Sequence, residues 1–269
     1  MTNQPTTHVA TTPNQRPATT LEQFRHQLVG DYQKQVLNYF NGQKEKAMKF
    51  MSAVVYSAQK NPALLECDRT TLLHAFMACA EYQLYPSSVS GEAYVIPYKG
   101  KAQFQLGYQG IITLLYRAGV EAVNAQIICE NDAFEYEEGL EPNLVHKPNV
   151  LKDRGKPIGV YAIAAINGHK LFKVLSEAEV MKFKGFSQSK NSEYTPWNPD
   201  NDPELWMWRK TAIKQLSKLL PKNDALQKAI SEDNQDSVIE ARRSTLDAGG
   251  PAVGRALHDP NASNEPEGK

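Results

Sequence analysis

Residues 92–106 read EAYVIPYKGKAQFQL, and this stretch decides what kind of fold the chain adopts. Apolar and polar side chains alternate on both sides of Lys99-Gly100, which is typical of two antiparallel strands joined by a two-residue turn. The alternation gives the second strand a polar face and an apolar face, formed by Lys101, Gln103 and Gln105 and by Ala102, Phe104 and Leu106. We therefore predict a β-hairpin whose polar face could line a groove.

Other periodicities surround the hairpin. Before it, apolar residues recur at helical spacing at about 21–41, at about 44–60 and in a segment that begins after Asp68. After it, the pattern predicts short helices at 111–118 and 177–184, strands at about 121–130, 133–138, 158–167 and 169–175, and a last helix at about 203–220. Helices, then strands, then helices, without a regular βαβ alternation, indicate the α+β class.

The charge of the chain is unevenly distributed along its 269 residues. The net charge is zero, but residues 231–269 contain eight acidic and four basic side chains, which leaves +4 on residues 1–230. Residues 1–20 are mostly Thr, Pro, Asn and Gln, with too few apolar groups to offset the entropy of ordering. We predict a disordered tail at 1–20, one domain at 21–230 and a flexible acidic tail at 231–269, which either tethers a partner or only aids solubility.

The cysteines, histidines and apolar runs exclude several classes of protein. Three cysteines stand far apart and six histidines are scattered, so neither a disulfide framework nor a zinc site is expected. No apolar run approaches the roughly 18 residues of a membrane span. The first residues lack the charged and apolar regions of a signal peptide. The sequence predicts a protein of the cytosol that has no membrane partner.

The predicted last helix contains the sequence ELWMWRKTAIKQLSKLL at 204–220. Lys210, Lys214 and Lys218 follow at four-residue intervals on the face opposite a broad apolar face, and no acidic side chain interrupts that row. Exposed helices usually mix Glu with Lys, because like charges at this spacing repel each other. The row is either a solvated face or a surface for phosphates. Arg209 lies at the edge of the apolar face and is expected to flank the core.

Residues 107–110, Gly-Tyr-Gln-Gly, are predicted to form a turn after the hairpin. Tyr108, between two glycines, would either stack on a base or pack in the core; stacking contributes about 1–3 kcal/mol per base. Arg117 ends the short helix that follows, where a cation suits the helix dipole. That structural role is a sufficient explanation for Arg117 without a DNA contact.

The absence of some motifs is informative. The phosphate-binding pattern Gly-x-x-x-x-Gly-Lys-[Ser/Thr] does not occur, since Val95 stands where Gly100-Lys101 would require the first glycine. This argues against a recombinase that hydrolyses ATP. Carboxylates gather at 130–138 and could hold a metal, although a solvated strand and turn explains them as well. No catalytic site is expected.

Short motifs follow one another in a fixed order along the chain: AYVIPY (93–98), QLGYQG (105–110), YRAG (116–119), FEYEEGL (134–140), HKP (146–148), VYA (160–162), PW (196–197) and MWRKTAI (207–213). Each motif alone is weak, whereas the ordered series is specific. Over about residues 45–222 the chain resembles the RecT family of phage single-strand DNA annealing recombinases.

The resemblance implies a curved antiparallel β-sheet with a β-hairpin packed on a long basic helix, and N-terminal helices, similar to the single-strand annealing protein fold. It implies ATP-independent binding of single-stranded DNA and annealing of complementary strands in phage-type recombination, by a homo-oligomeric ring or helical filament. The implied partners are single-stranded DNA, the annealed duplex intermediate, a 5′–3′ exonuclease and a host single-strand binding protein, all in the bacterial cytosol. No cofactor is implied, although Mg²⁺ would assist annealing.

The residues and the resemblance together give a predicted DNA-binding site: Lys101, Gln103, Gln105, Tyr108, Gln109, Arg117, Lys210, Lys214 and Lys218. Family members often carry a basic residue where this chain has Gln109 and Gln215. Phosphate contact is therefore expected to be weaker or to come from elsewhere, such as Lys182 or Lys184. Two other functions stay open, a metal-dependent nuclease that uses the carboxylates at 130–138 and an oligomeric DNA-binding module that does not anneal.

Overall fold

The structure, a computed structural model, describes residues 20–87, 89–187, 190–193, 195–221 and 224–234. The tails predicted at 1–20 and 231–269 lie outside these residues, except for Thr20 and the stretch 231–234. Helices and antiparallel strands are mixed, which confirms the predicted α+β class. Within the described ranges, no helix combines the length and the apolar character needed to cross a bilayer.

Four helices precede the first strand: α1 (Leu21–Asp31), α2 (Gln33–Tyr39), α3 (Lys44–Lys60) and α4 (Arg69–Glu81). Thr20 and Gln23 form a capping box at the start of α1. Asp68 accepts the backbone N–H of Thr71 at 3.0 Å, which confirms the predicted start of α4. The helix predicted at 21–41 is in fact two helices, because the φ of Tyr32, −111°, lies outside the helical range.

The predicted hairpin is confirmed. Its strands, β1 (Ala93–Tyr98) and β2 (Lys101–Leu106), pair from Tyr98–Lys101 to Ala93–Leu106. Lys99 and Gly100 have positive φ values of 47° and 76°, as a two-residue hairpin turn requires. The hairpin packs against α4 and the residues that follow it, with the Phe104 ring 5.6 Å from that of Tyr82. The structure does not confirm the prediction that the hairpin packs on the basic helix near the C-terminus.

Five further strands follow: β3 (Ala122–Cys129), β4 (Ala133–Glu137), β5 (Asn143–Lys147), β6 (Pro157–Ile166) and β7 (His169–Ser176). The order β3-β6-β7 forms an antiparallel sheet, and β4 and β5 form a separate hairpin inserted between β3 and β6. Helix α5 (Tyr108–Arg117) precedes these strands, and α6 (Glu177–Gly185) follows them. The described strands thus form three separate antiparallel units, the first hairpin, the main sheet and the inserted hairpin. The sequence did not predict β5.

The predicted basic helix is α7 (Trp206–Leu216), which continues into a short 3-10 helix, Ser217–Leu219. With eleven residues, α7 is shorter than predicted. Its start is fixed by Asp202, whose buried carboxylate accepts the backbone N–H of Met207 at 3.2 Å. Helix α7 packs on β6 and on the neighbouring strands β3 and β7. Its predicted apolar face is confirmed by the burial of Trp208, Ala212, Ile213 and Leu216.

Residues 224–234 form a last helical segment. Its side chains Leu226 and Ala229 are fully or almost fully buried and belong to the main core. The boundary predicted between residues 230 and 231 falls inside this segment. Residues 231–234 continue a helix whose first part is packed in the core, and the rest of the predicted acidic tail lies outside the described residues.

Candidate nucleic-acid interface

The last helical segment places Asp233 between β2 and α7. One carboxylate oxygen of Asp233 lies 2.9 Å from Lys214 Nζ and 3.5 Å from Lys210 Nζ. The other accepts the backbone N–H of Leu106 at 2.9 Å. The side chains of Asp233, Lys210 and Lys214 keep only 7%, 10% and 18% of their exposure. We call these three side chains the Asp233 triad.

The Asp233 triad is a set of buried charges, and its members do not gain equally from one another. Burial alone would raise the pKa of Asp233, but the ammonium groups of Lys210 and Lys214 lower it below its ordinary value. The pKa of Lys210 is also lowered, because burial disfavours its charge more than Asp233 favours it, and Lys214 repels it. Asp233 is thus held ionised, while Lys210 gains little from the arrangement.

The predicted open row of lysines is therefore wrong for two of its three members. Lys210 is buried and Lys214 is half-buried, and both point to a carboxylate. Only Lys218 is exposed, and its Nζ donates to Gln215 Oε1 at 2.7 Å. The physical reason is that a carboxylate from the folded-back segment relieves repulsion between like charges on one helix face.

Lys101 is exposed, as predicted, but it lies far from the triad. The tip of the hairpin is fastened to the start of α4, where the carbonyl of Gly100 accepts the backbone N–H of Asp68 at 2.8 Å. Leu106, which contacts Asp233, is five residues further along the strand, about 17 Å at 3.4 Å per residue. The structure therefore does not gather the predicted cations into one cluster.

The Gly-Tyr-Gln-Gly segment is the start of α5, and the turn predicted there is wrong. Gly107 is the N-cap and Tyr108 is the first helical residue. A Cβ at Gly107 would lie 2.0 Å, and one at Gly110 2.1 Å, from a backbone oxygen of residues 91–92. Both positions therefore require glycine, because the backbone before β1 approaches so closely. The contact fixes the first turn of α5 against the open end of the hairpin.

The remaining predicted polar residues lie on the first hairpin and on α5. Gln105 and Gln109 are exposed and Gln103 is half-buried, so their amides can donate to phosphates or base edges. Arg117 Nη1 donates to the carbonyl of Tyr82 at 2.8 Å, and Nη2 donates to that of Gln83 at 3.1 Å. Arg117 thus ties the end of α5 to the chain after α4, a structural role different from the helix-dipole role that the sequence suggested.

A second junction joins α5 to α7. The rings of Tyr108 and Trp206 are 4.9 Å apart at 61°, so they meet edge to face. The guanidinium carbon of Arg209 lies 5.2 Å from the centre of the Trp206 ring, and its Nη1 donates to the carbonyl of Ala125 at 3.0 Å. This confirms that Arg209 flanks the core. Burial raises the pKa of Tyr108, which keeps its hydroxyl protonated.

Two residues of this region, Trp206 and Asp233, were absent from the predicted site. Trp206 carried a signal, since it is a large aromatic residue outside the predicted apolar face of the helix. Asp233 carried none, because it belongs to an acidic stretch whose composition suggested a solvated tail. Its position depends on the packing of Leu226 and Ala229 beneath it.

The acidic segment at 130–138 does not leave Asp132 open to a metal. The Asp132 side chain is fully buried, and its carboxylate accepts from Arg154 Nη2 at 2.6 Å and from the backbone N–H of Asn149 at 2.9 Å. His146 Nε2 lies 3.1 Å from Asp132 Oδ2. The hydrogen bond from Arg154 holds the pKa of Asp132 well below its ordinary range. In the described part of the chain, no three His, Cys, Asp or Glu side chains are grouped to hold a metal ion.

The comparisons with known proteins cover the elements that meet at the Asp233 triad and at the contact between α5 and α7. Residues 48–246 match the model of the RecT family. The chain is 33% identical to Protein RecT of Escherichia coli (strain K12) over 189 residues, which are 66% of this chain and 68% of that protein. It is 27% identical to the uncharacterized protein YqaK of Bacillus subtilis (strain 168) over 230 residues, 83% of this chain and 75% of that protein. This chain therefore belongs to the RecT family of recombination and strand-annealing proteins.

Proposed function

We propose that this protein binds single-stranded DNA and pairs complementary strands without ATP, as a step of phage-type homologous recombination. The observation that carries the proposal is the meeting of the family's motifs at one place in the fold. Tyr108 lies in the motif at 105–110 and Trp206 immediately precedes the motif at 207–213; the two are far apart in sequence, yet their rings are in contact. The end of the hairpin lies beside them and is joined to α7 through Asp233.

Strand contact in this proposal combines cations, amides and an aromatic ring. Lys101 and Lys218 are the exposed lysines of the predicted site, and they would neutralise phosphates. The amides of Gln103, Gln105 and Gln109 would hydrogen-bond the sugar-phosphate chain. Tyr108 would hold a base by stacking, which tolerates any sequence. The strand would lie extended, with its base edges free to pair.

Pairing itself supplies the driving force. Each base-pair step contributes about 1.4 kcal/mol, so the protein has only to reduce the repulsion between strands and slow their dissociation. No ATP is needed for this, and Mg²⁺ would assist by screening the phosphates. Lys210 and Lys214 would contact DNA only if Asp233 left them, so we assign them to holding the last helical segment.

Affinity in this proposal depends on many protomers. Two phosphate contacts per protomer give a salt slope of about −1.4, so a tenfold rise in salt weakens each protomer's binding about 25-fold. Protomers side by side on one strand, in a ring or helical filament, would restore affinity through avidity. We also propose a 5′–3′ exonuclease as the source of single strands, contact with a host single-strand binding protein, and a location in the bacterial cytosol.

The test is annealing of two complementary fluorescent oligonucleotides in the absence of ATP, with and without Mg²⁺. We expect the protein to accelerate duplex formation and to leave strand length unchanged. Strands that bind without faster pairing would point to the non-annealing module, and shortened strands in Mg²⁺ would point to the nuclease. Either result would overturn the proposal.

The matched variants use exposed lysines only. Lys101→Ala/Lys218→Ala is expected to slow annealing, and Lys34→Ala/Lys46→Ala removes the same charge from α2 and α3 and is expected to anneal normally. Replacing Lys210 and Lys214 is avoided here, because it would remove the partners of Asp233 as well. Equal annealing by the two double variants would show that the hairpin and the end of α7 do not bind the strand.

A further inference from the structure

The Trp206 side chain is the accessible tryptophan of this protein. The chain has three tryptophans, and Trp197 and Trp208 retain only 6% and 4% of their exposure, whereas Trp206 retains 39%. A large aromatic side chain usually gains most from burial, so a ring left open at the junction of two helices requires an explanation.

The backbone before Trp206 is strained in a way that fixes where this ring lies. Leu205 has φ 54° and ψ 46°, the left-handed region that leucine rarely adopts. Such outliers persist only where the surrounding structure determines them, and they concentrate at ligand sites. Here the strained residue immediately precedes the exposed ring, so the strain determines the direction in which α7 begins.

Neighbouring side chains hold the Trp206 ring without covering it. Arg209 lies 5.2 Å from the ring centre, and its Nη1 and Nε donate to the carbonyls of Ala125 and Glu204 at 3.0 and 3.2 Å. The Tyr108 ring meets Trp206 edge to face. The ring is thus held in place by Arg209 of its own helix and by Tyr108 of α5. Less conformational entropy of the side chain is therefore lost when a ligand binds to it.

The backbone N–H groups at the start of α7 are not open to an anion. Asp202 is buried at the start of α7, and its carboxylate accepts the backbone N–H of Met207 at 3.2 Å. The N–H groups that could attract a phosphate there face a carboxylate instead. On α5, Tyr108, Ile112 and Tyr116 share one helix face, and Tyr116 is 50% exposed. An aromatic surface therefore continues away from Trp206.

We propose that Trp206 is a base-stacking residue, and that with Tyr108 it forms a platform for one nucleobase of a single strand. The inference rests on the proposed function and adds to it a residue and a type of contact. Because every base has a π-face, the platform would hold any sequence. Because stacking involves no phosphate, its contribution would not depend on salt.

The first experiment uses the full chain and its own fluorescence. Labelled oligo-dT is followed by anisotropy, and tryptophan emission is recorded in the same titration. We expect oligo-dT to quench emission and to protect it from acrylamide, and we expect both effects to disappear in Trp206→Phe, which keeps an aromatic ring. Anisotropy that reports binding while emission and acrylamide access stay unchanged would overturn the platform and leave the proposed function standing. Absence of binding by anisotropy would instead refute the proposed function.

The second experiment uses substitutions with different ring content. Trp206→Leu keeps an apolar side chain without a π-face and should weaken oligo-dT binding about 5- to 150-fold, with the salt slope unchanged. Trp206→Phe should retain most of the affinity. Tyr136→Ala removes a ring that is 47% exposed on β4 and should bind normally. Equal loss in Trp206→Leu and Trp206→Phe, or a changed oligomer size of Trp206→Leu without DNA, would assign Trp206 to a protein contact and overturn the proposal.

Discussion

Removal of the Asp233 carboxylate tests whether the last helical segment is a structural part of the domain. In Asp233→Ala, the ammonium groups of Lys210 and Lys214 lose the carboxylate oxygen that lies 3.5 and 2.9 Å from them. Breaking a buried charge pair by removal of one partner costs about 3–5 kcal/mol, because it leaves uncompensated charge in the interior. For a domain of this size, that loss lowers the melting temperature by about 6–20 °C.

The measurement is thermal and urea unfolding, followed by circular dichroism at neutral pH. Lys228→Met is the matched control, since Lys228 pairs with Glu81 at 3.6 Å and both side chains are largely exposed, at 66% and 41%. That variant should lose less than about 1 kcal/mol. A loss in Asp233→Ala no larger than in this control would refute the reasoning, because the segment would then be held by its other contacts, such as the hydrogen bonds of Glu232 and Asn234.

A second substitution separates pairing from general burial. Lys210→Met leaves Asp233 with Lys214, and removes a lysine whose charge is disfavoured by burial and by the like charge beside it. We expect its free energy of unfolding to stay within about 1.5 kcal/mol of the wild-type value, since an apolar side chain can replace a buried charge at little cost. A loss as large as that of Asp233→Ala would show that Lys210 and not Asp233 is the member on which stability depends.

Three further predictions concern charge, pH and packing. Lys101→Ala/Lys218→Ala should reduce the magnitude of the salt slope of oligo-dT binding by about 1.4, measured by anisotropy across salt concentrations; an unchanged slope would contradict their role as phosphate contacts. Asp132 has a folded pKa below its unfolded value of about 3.9, so the stability it provides is present above that pH and is lost as pH falls below it. The melting temperature of Asp132→Asn should therefore change less between neutral and acid pH than the melting temperature of the wild type. Gly110→Ala should lose about 1–3 kcal/mol, because the new Cβ would lie 2.1 Å from a backbone oxygen. Gly30→Ala, which has nothing within 4 Å on α1, should not lose stability, and unfolding curves that rank the two otherwise would refute the packing argument.

Local patterns predicted those parts of the fold that depend on local structure. The alternation around Lys99-Gly100 predicted the first hairpin and the side chains on each of its faces, because strand periodicity and turn geometry are properties of a few neighbouring residues. The same holds for the start of α4 at Asp68. Strand β5 was missed, although its partner β4, which is equally short and exposed, was predicted.

Contacts between distant segments could not be predicted from such patterns. The glycines at 107 and 110 suggested a turn, whereas they are required by the close approach of residues 91–92 to a helix. From the sequence, the face of α7 that carries Lys210 was either a solvated face or a surface for phosphates. Its burial depends on Asp233, which lies 19 residues beyond Lys214. Periodicity within one helix gives no information on what a later segment places against it.

The Asp233 triad also changes how charge can contribute to strand annealing. A surface with four open lysines per protomer would hold a single strand tightly and would oppose its release into a duplex. With two of those lysines paired to Asp233, each protomer of the proposed assembly would contribute few phosphate contacts, and the strand would depend on many protomers at once. Base pairing at about 1.4 kcal/mol per step can then outcompete individual protomers one after another. Weak contact by each protomer is therefore the property that an ATP-independent annealing protein needs, and a carboxylate that pairs with two lysines is a direct way to obtain it.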